Sequence, residues 1–463
     1  MATYISRTLG TPTNNKKWTF SAWFKMTDQS ASDRGIMSIG GNTSEYTRLN
    51  FDGSHQLEFD NKISGSSWDG RRYATAKRTD PSSWYHVVAV FDSDNGTAAD
   101  RMITYFNGTR ITAYNNSIDP SSGAVSGNTS GETIRIGVVE SSAYFNGLMS
   151  HVHFCDGQAY APSDFGQTDS TSGVWTLKTS PSVTYGNNGF FLKMEDSTNL
   201  DLDSSSNGHT FTTTGTLTAT KDNPSNNFPI QNPNARSASS SRPTLSNGST
   251  TGVFTSTAGW RTIPATMGVD KGLWYYEAIG GNSSGHLHTG IASTEWLNGG
   301  NPNSYNSSAE MGTGTSKPCY NMYNLNGNIY YSNTSGHSNT TSYGNTCVDT
   351  DYIGVFFDLD ANKIYWSKNG TIQNSGTGFD IQDGFMYLPA VSYYNTASAG
   401  VKINFGNGVF GSTALTGTEN TDWFADNGGE GKFKYNPSGT ASGFDGSTKH
   451  FRCLNTKNIK LYG

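Results

Sequence analysis

Charge is scarce in this chain. Of its 463 residues only 15% are Asp, Glu, Lys or Arg, and they sum to −6 at pH 7. That leaves no general basic field to hold a phosphate backbone, so nucleic acid is not an expected partner. Long apolar runs are missing too. None approaches the roughly 18 residues needed to cross a bilayer. The opening MATYISRTLGTPTNNKKW has no apolar signal segment, so neither membrane insertion nor export by the general secretory route is expected. Cysteine is sparse: Cys155, Cys319, Cys347 and Cys453 lie far apart and form no CxxC pair. This spacing argues against a zinc site or a disulfide scaffold and for buried free thiols. Helical periodicity is nearly absent, with one turn expected at 161–165 beside Pro162.

Aromatic residues, by contrast, reach 13%, with 24 Tyr, 24 Phe and 10 Trp set among 54 Gly and abundant Ser, Thr and Asn. Large β-favouring side chains in so polar a background are the composition of short strands joined by turns and long loops, an all-β class. The length exceeds the usual size of one core and predicts two or three domains.

From Trp18 to Gly157 the chain reads as strand-length segments, among them WTFSAWFKM, TRLNF, QLEFD, WYHVVAVFD, RMITYFNG and LMSHVHFCDG. Turn signals at Asp92–Gly96 and Asn107-Gly108 punctuate them at antiparallel spacing. The order Trp18–Lys25, Ser82–Asp92, Tyr105–Gly108, Ile134–Gly137 and Tyr144–Val152 resembles the laminin-G-like, concanavalin-A-like jelly rolls. That resemblance covers roughly residues 1–168 and implies that the Trp84-Tyr85-His86 strand packs across the sandwich. The continuation, Phe154–Gly166, Thr171–Trp175, Tyr185–Leu192 and Pro224–Phe228, is similar to a connecting segment of marine bacteriophage structural proteins. Residues 169–249 are expected to complete the first domain and then form a linker, the Ser-, Asn- and Pro-rich stretch from Asn232 to Ser249.

Residues 250–463 carry a second set of motifs: GLWYYEA (Gly272–Ala278), HTGIA (His288–Ala292), the strand, turn and strand within Tyr352–Gly370, YLPAVS (Tyr387–Ser392) and VKINFG (Val401–Gly406). Their order resembles the SPRY family, with Asp358, Asp360 and Asn362 making one reversal and Asn369-Gly370 the next. The segments Phe433–Gly439 and Phe451–Ile459 resemble the C-terminal closure of the same phage proteins, from which the insertion Thr440–Lys449 departs. The expected fold is therefore all-β, two antiparallel β-sandwich domains, a concanavalin-like jelly roll followed by a SPRY-like sandwich.

Catalytic patterns are poor. Concanavalin-like sandwiches include glucanases, which need carboxylates on alternate residues of one strand. Glu58 and Asp60 are the nearest approach, but Lys62 and Ile63 follow where a third acid is required. The pair is expected to be ordinary solvent-facing strand residues or a turn-associated pair. Glu195 and Asp196 are adjacent and would point to opposite faces of a strand. No enzyme and no cofactor are expected. Asp201, Asp203 and Asn207 offer hard oxygen ligands for calcium, although an Asx-type turn explains them as well.

Glycan sites combine an aromatic platform with polar side chains. Trp68, Asp69, Arg71 and Tyr73 form such a mixture in an expected loop or edge. In the second half His286, His288, Trp296, Tyr320 and Tyr323 fall in or beside Gly/Asn/Ser-rich loops, where the SPRY resemblance implies a binding surface. The expectation is a bacteriophage virion protein, located on tail or capsid and assembled in the host cytoplasm. Its partners would be other virion proteins and a host-surface glycan or polysaccharide, and it would be a homo-oligomer, with a trimer favoured. A tail-fibre, receptor-binding role leads. A head fibre or capsid decoration protein is the alternative, and a polysaccharide depolymerase is a third class that the missing triad argues against.

Overall fold

Alternation of large apolar and polar side chains carries much of the chain into antiparallel strands. In the computed structural model strand accounts for 45% and helix for 5%, as expected for two β-sandwiches. The structure describes all residues except 1–2, 28–31, 41–43, 64, 66, 140–141, 235–243, 254–259, 281–285, 300–310, 313–315, 340–341, 395–399 and 439–442. No helix among the described residues is long and apolar enough to cross a membrane.

The chain divides into two units, Met1–Ala219 and Thr220–Gly463. Among the described residues, the main sheets of the first have eight and six strands. The eight-stranded sheet runs in the order Tyr114–Ile118, Gly70–Lys77, Gln56–Lys62, Tyr46–Phe51, Arg34–Ile39, Thr133–Ile136, Tyr4–Thr8 and Thr212–Thr214. The six-stranded sheet is built around Lys17–Met26, paired on one side with Gly147–Asp156 and on the other with Tyr85–Asp92. Trp18 joins the two sheets. Its ring stacks on Phe91 at 5.9 Å, meets Phe59 edge-on at 5.6 Å and lies 5.5 Å from Phe154, while its Nε1 donates to Ser126 Oγ at 2.9 Å. The indole is thus fully buried with its one donor satisfied.

Residues 158–185 cover the outer side of the six-stranded sheet. Phe165, Tyr160 and Tyr185 pack on Val88, Val90 and Cys155, and Trp175 lies 6.0 Å from His86 in a stacked arrangement. The expected turn beside Pro162 is a single 3-10 turn, Pro162–Asp164.

In the second unit, among the described residues, one sheet has nine strands, with Leu273–Gly280 between Tyr352–Asp358 and Gly400–Asn404, and the other has six, with Leu287–Ser293 between Tyr387–Tyr394 and Cys319–Tyr323. Trp274, Tyr276, Phe357 and Trp366 fill the space between them. The reversal after Tyr352–Asp358 places Asn362 at φ 57, and the next places Asn369 and Gly370 at φ 48 and 80, the left-handed pair that suits a tight hairpin. The outer side of the nine-stranded sheet is closed by the chain's own C-terminal part: Phe433, Phe444 and Phe451 pack with Phe228 on Tyr275, Phe356 and Tyr365. Glu277 anchors this closure. Its buried carboxylate accepts the Lys434 and Tyr435 amides at 2.9 and 2.8 Å, the Tyr275 hydroxyl at 3.1 Å and Asn404 Nδ2 at 3.2 Å.

One boundary differs from the expected linker. Residues 169–219 do complete the first unit, through Phe190–Leu192 and Thr212–Thr214. The division then falls at 219/220, ahead of the polar stretch Asn232–Ser249. The described part of that stretch belongs to the second unit: Phe228 and Ile230, just ahead of it, are buried, and within it Thr244–Ser246 is an edge strand on Thr251–Val253. Residues 235–243 lie outside the described set. The insertion Thr440–Lys449 is packed where it is described: Phe444 is buried, and Asp445 accepts the Tyr365 hydroxyl at 2.6 Å.

Candidate functional site

The outer side of the eight-stranded sheet differs from its counterpart on the six-stranded sheet. In QLEFD and TRLNF, period-2 alternation turns Leu57, Phe59, Leu49 and Phe51 into the core and leaves Gln56, Glu58, Asp60, Arg48 and Asn50 on the opposite face. Register aligns Arg48 with Asp60 and Asp60 with Arg71 across three strands, with Asn50, Glu58 and Tyr73 in the neighbouring row.

The rows are locked by ion pairs. Arg71 Nη2 donates to Glu58 Oε1 at 2.6 Å, and Arg71 Nε lies 3.3 Å from Asp60 Oδ1. Arg48 Nε donates to Asp60 Oδ2 at 3.1 Å, and its Nη2 lies 3.6 Å from Glu58 Oε2. Glu58 and Asp60 are therefore not ordinary solvent-facing residues, as the strand pattern alone implied. Two guanidiniums roof them over, leaving the Asp60 side chain 0% exposed. Burial, the largest influence, raises the Asp60 pKa to about 6 against the opposing pull of Arg48 and Arg71.

Trp68, Arg71 and Tyr73 come together here. The Arg71 guanidinium lies 4.0 Å over the Trp68 ring and 5.2 Å from that of Tyr73, and Trp68 is 38% exposed. The Tyr73 hydroxyl donates toward Asp52 at 2.8 Å, with Gln56 Oε1 at 3.1 Å, which fixes the ring. Asp69 plays a different part. Its carboxylate accepts the Ile63 amide at 2.6 Å and closes the turn between the strands. Sequence reasoning misses Arg48 and Asn50 and does not connect Glu58 and Asp60 with Arg71. The alternation of TRLNF against QLEFD is the signal that places all four on one face.

The candidates of the second unit form no single site. His288 is buried, stacked on Tyr323 at 4.5 Å with the Trp260 edge at 4.5 Å, and pairs through Nδ1 with Asn321. His286 Nδ1 meets the Tyr323 hydroxyl at 2.5 Å. Tyr320 points the other way. It is three residues from Tyr323 on the same strand, so it faces the core, where it packs against Tyr331 and Tyr387. Trp296, 1% exposed, packs with Leu297, Met311 and Cys319. His288, Tyr320 and Tyr323 thus lie on strands beside the Gly/Asn/Ser-rich segments, with their rings buried.

The calcium candidates hold the chain instead. Asp203 Oδ1 accepts the Phe191 and Ser205 amides at 2.9 Å each, and Oδ2 the His209 amide at 2.8 Å. Asp201 accepts Thr213 Oγ1 at 2.6 Å, and Asn207 donates to the Gly186 and Gly189 carbonyls. No group of three or more His, Cys, Asp or Glu suited to a metal occurs among the described residues. All four cysteines are free and buried.

A Ser–His contact also exists: Ser21 Oγ lies 2.8 Å from His86 Nε2, and Trp175 Nε1 donates to His86 Nδ1 at 3.1 Å. An indole N–H can only donate. Nδ1 is therefore the acceptor and Nε2 carries the proton, which it donates to Ser21. Burial holds the His86 pKa down at about 3. In this state the imidazole has no lone pair directed at the serine, so the pair is not a nucleophile and its base.

Residues 2–162 match the family model of the concanavalin A-like lectin/glucanases superfamily, and residues 273–408 that of the SPRY domain. No curated protein matches the chain. Among solved structures it is similar to the SPRY domain of human HERC1, at 20% identity over 33% of this chain and 86% of that one, with a TM-score of 0.26. It is similar to the native heptameric SAP-like pentraxin from Limulus polyphemus, at 15% identity over 41% of this chain and 88% of that one, TM-score 0.28. It is also similar to domains LG4-5 of the mouse laminin alpha1 chain, at 8% identity over 90% of both chains, TM-score 0.29. With TM-scores this low, these likenesses carry no argument about function. The chain holds a concanavalin-like domain followed by a SPRY-like domain, a combination that points to an adhesin-like module for carbohydrate or protein.

Proposed function

We propose that this chain is a non-enzymatic adhesin of a bacteriophage virion that binds a host-surface glycan through the outer face of its eight-stranded sheet. The observation that carries the reading is Arg71 packed against the exposed ring of Trp68 and ion-paired with Glu58. This gives an exposed aromatic ring in the loop between Gln56–Lys62 and Gly70–Lys77, held against the sheet by the strand residue Arg71. The virion setting is supported by the resemblance of Phe154–Gly166 and Tyr185–Leu192 to a phage connecting segment. Glu58 and Asp60 serve here as structural counter-ions to two arginines, and no hydrolysis is assigned to them. A single such site stacks one or two sugar rings and is weak, about millimolar, because the flexible glycan must be ordered. Several copies on one particle would raise adhesion through effective concentration.

The test is adhesion of particles, or of the full chain clustered on beads, to host cells and to their extracted envelope glycans. Clustered wild-type chain adheres, monomeric chain barely does, and Trp68→Ala abolishes retention while its circular dichroism and melting stay native. Equal adhesion by wild type and by a variant lacking Trp68, Arg71 and Tyr73 side chains would remove the site. Absence of any adhesion by clustered chain would leave decoration of the capsid as the role.

A further inference from the structure

We infer that the glycan taken by this face is electrically neutral, a hexose-type chain without uronate, sialate or sulfate groups. The inference rests on the reading of the face as a glycan site and adds the ligand's charge class to it.

Two arginines on a binding face would ordinarily be read as an anion site. Here they are already spent. Arg48 and Arg71 each lie within ion-pair distance of both Glu58 and Asp60, from 2.6 to 3.6 Å, so two positive charges stand against two negative ones. An approaching sulfate or carboxylate meets a field that cancels at the distance of a ligand. To gain a guanidinium for itself it would have to draw Arg71 or Arg48 away from carboxylates whose side chains are only 8% and 0% exposed. Water cannot replace the lost partner there, and an uncompensated buried carboxylate costs more than an exposed anion–arginine contact returns.

The neighbouring row closes the network further. Asn50 is fully buried in the second row, where its Nδ2 donates to Glu58 at 3.2 Å, and its Oδ1 has no donor among the described residues. Enclosed in this way, Asn50 holds Glu58 from within the network and offers a ligand no charge and no accessible polar atom. The exposed Trp68 ring completes the match. Its electron-rich face attracts the weakly positive C–H side of a neutral pyranose, a contact that needs no ligand charge.

The experiment uses the full chain, clustered on beads, against immobilised mannan, β-glucan and galactan as neutral probes, and polygalacturonate and heparin as anionic ones. The expected result is retention on at least one neutral probe, lost in Trp68→Ala, and little changed between about 0.05 and about 0.5 M NaCl, a range that screens exposed charge pairs strongly. Glu58→Gln removes one neutralising carboxylate and is expected to create salt-sensitive retention on polygalacturonate that the wild type lacks. Its melting curve checks that the fold survives, and the wild-type panel decides the question by itself should it not. Wild-type retention on heparin or polygalacturonate, eluted by salt and abolished by Trp68→Ala, would overturn neutrality while leaving the glycan site standing. Retention on none of the five overturns both readings.

Discussion

Arg71 holds Glu58 through Nη2 at 2.6 Å while its guanidinium plane covers Trp68 at 4.0 Å. One side chain thus joins a buried charge network to the exposed ring above it, and the two contacts have unequal energetic weight. Trp68→Ala removes a partly exposed cation–π contact worth about 1 kcal/mol or less. Arg71→Ala leaves Glu58 and Asp60 short of a counter-ion and is expected to cost about 3 kcal/mol. Urea unfolding of both variants checks this ordering. A larger loss for Trp68→Ala than for Arg71→Ala would show that the ring, not the ion pair, organises the face.

The pH dependence of the same network follows from Asp60. Its pKa in the folded chain, about 6, lies above the ordinary 3.8, because burial outweighs the two arginines. A raised carboxylate binds its proton more tightly when folded. Its stabilising contribution is therefore fully present below about 3.8 and is lost as pH rises through about 6. Asp60→Asn lacks this titration, so its stability relative to wild type is expected to climb between those two values and stay level above. Melting temperatures of both proteins across that window provide the measurement, and a parallel pair of curves would refute the assignment.

Much of this architecture can be read in the residues. Alternation in WTFSAWFKM, QLEFD and YIGVFFD determines which side chains face inward, and Asn369-Gly370 marks its hairpin by the left-handed backbone both residues adopt. The cluster of Trp68, Arg71 and Tyr73 is legible because it is local, six consecutive residues of one turn and strand. Arg48 and Asn50 are not, since their meeting with Glu58 depends on which strands become neighbours. Trp296 and Tyr320 sit beside Gly- and Asn-rich segments that suggest a binding surface, yet core packing is the commoner role for any one such ring, and both are buried. The extent of the second unit was obscured likewise, because nothing in the polar stretch 232–249 announces that Thr244–Ser246 pairs with Thr251–Val253.

Glu277 ties the C-terminal closure to its sheet by four hydrogen bonds, yet burial raises its pKa from 4.5 to about 7. The same sign applies: its contribution is present in full below about 4.5 and is lost as pH rises through about 7. Glu277→Gln keeps an acceptor for only one of the Lys434 and Tyr435 amides, which meet different carboxylate oxygens, and is expected to flatten that dependence at a smaller cost than removal of both acceptors. Glu277→Ala leaves both amides unsatisfied and should lose about 3 kcal/mol, with the segment 424–454 gaining amide exchange first. Hydrogen exchange that rises uniformly over the second unit would argue against a local anchor.

Adhesion is expected to need no metal, and the reason lies in how Asp203 spends its oxygens. Three backbone amides, from Phe191, Ser205 and His209, already converge on its carboxylate, so a calcium ion would have to displace hydrogen bonds that shape the turn itself. Asp203→Ala should therefore lower the melting temperature whether or not calcium is present. A chelator should change neither the melting temperature nor the adhesion of the wild type. A calcium site would behave differently, since an ion that binds only the folded chain stabilises it in proportion to the logarithm of its concentration. A melting temperature that climbs steadily with added calcium, and that Asp203→Ala makes calcium-independent, would assign Asp201, Asp203 and Asn207 to a metal after all.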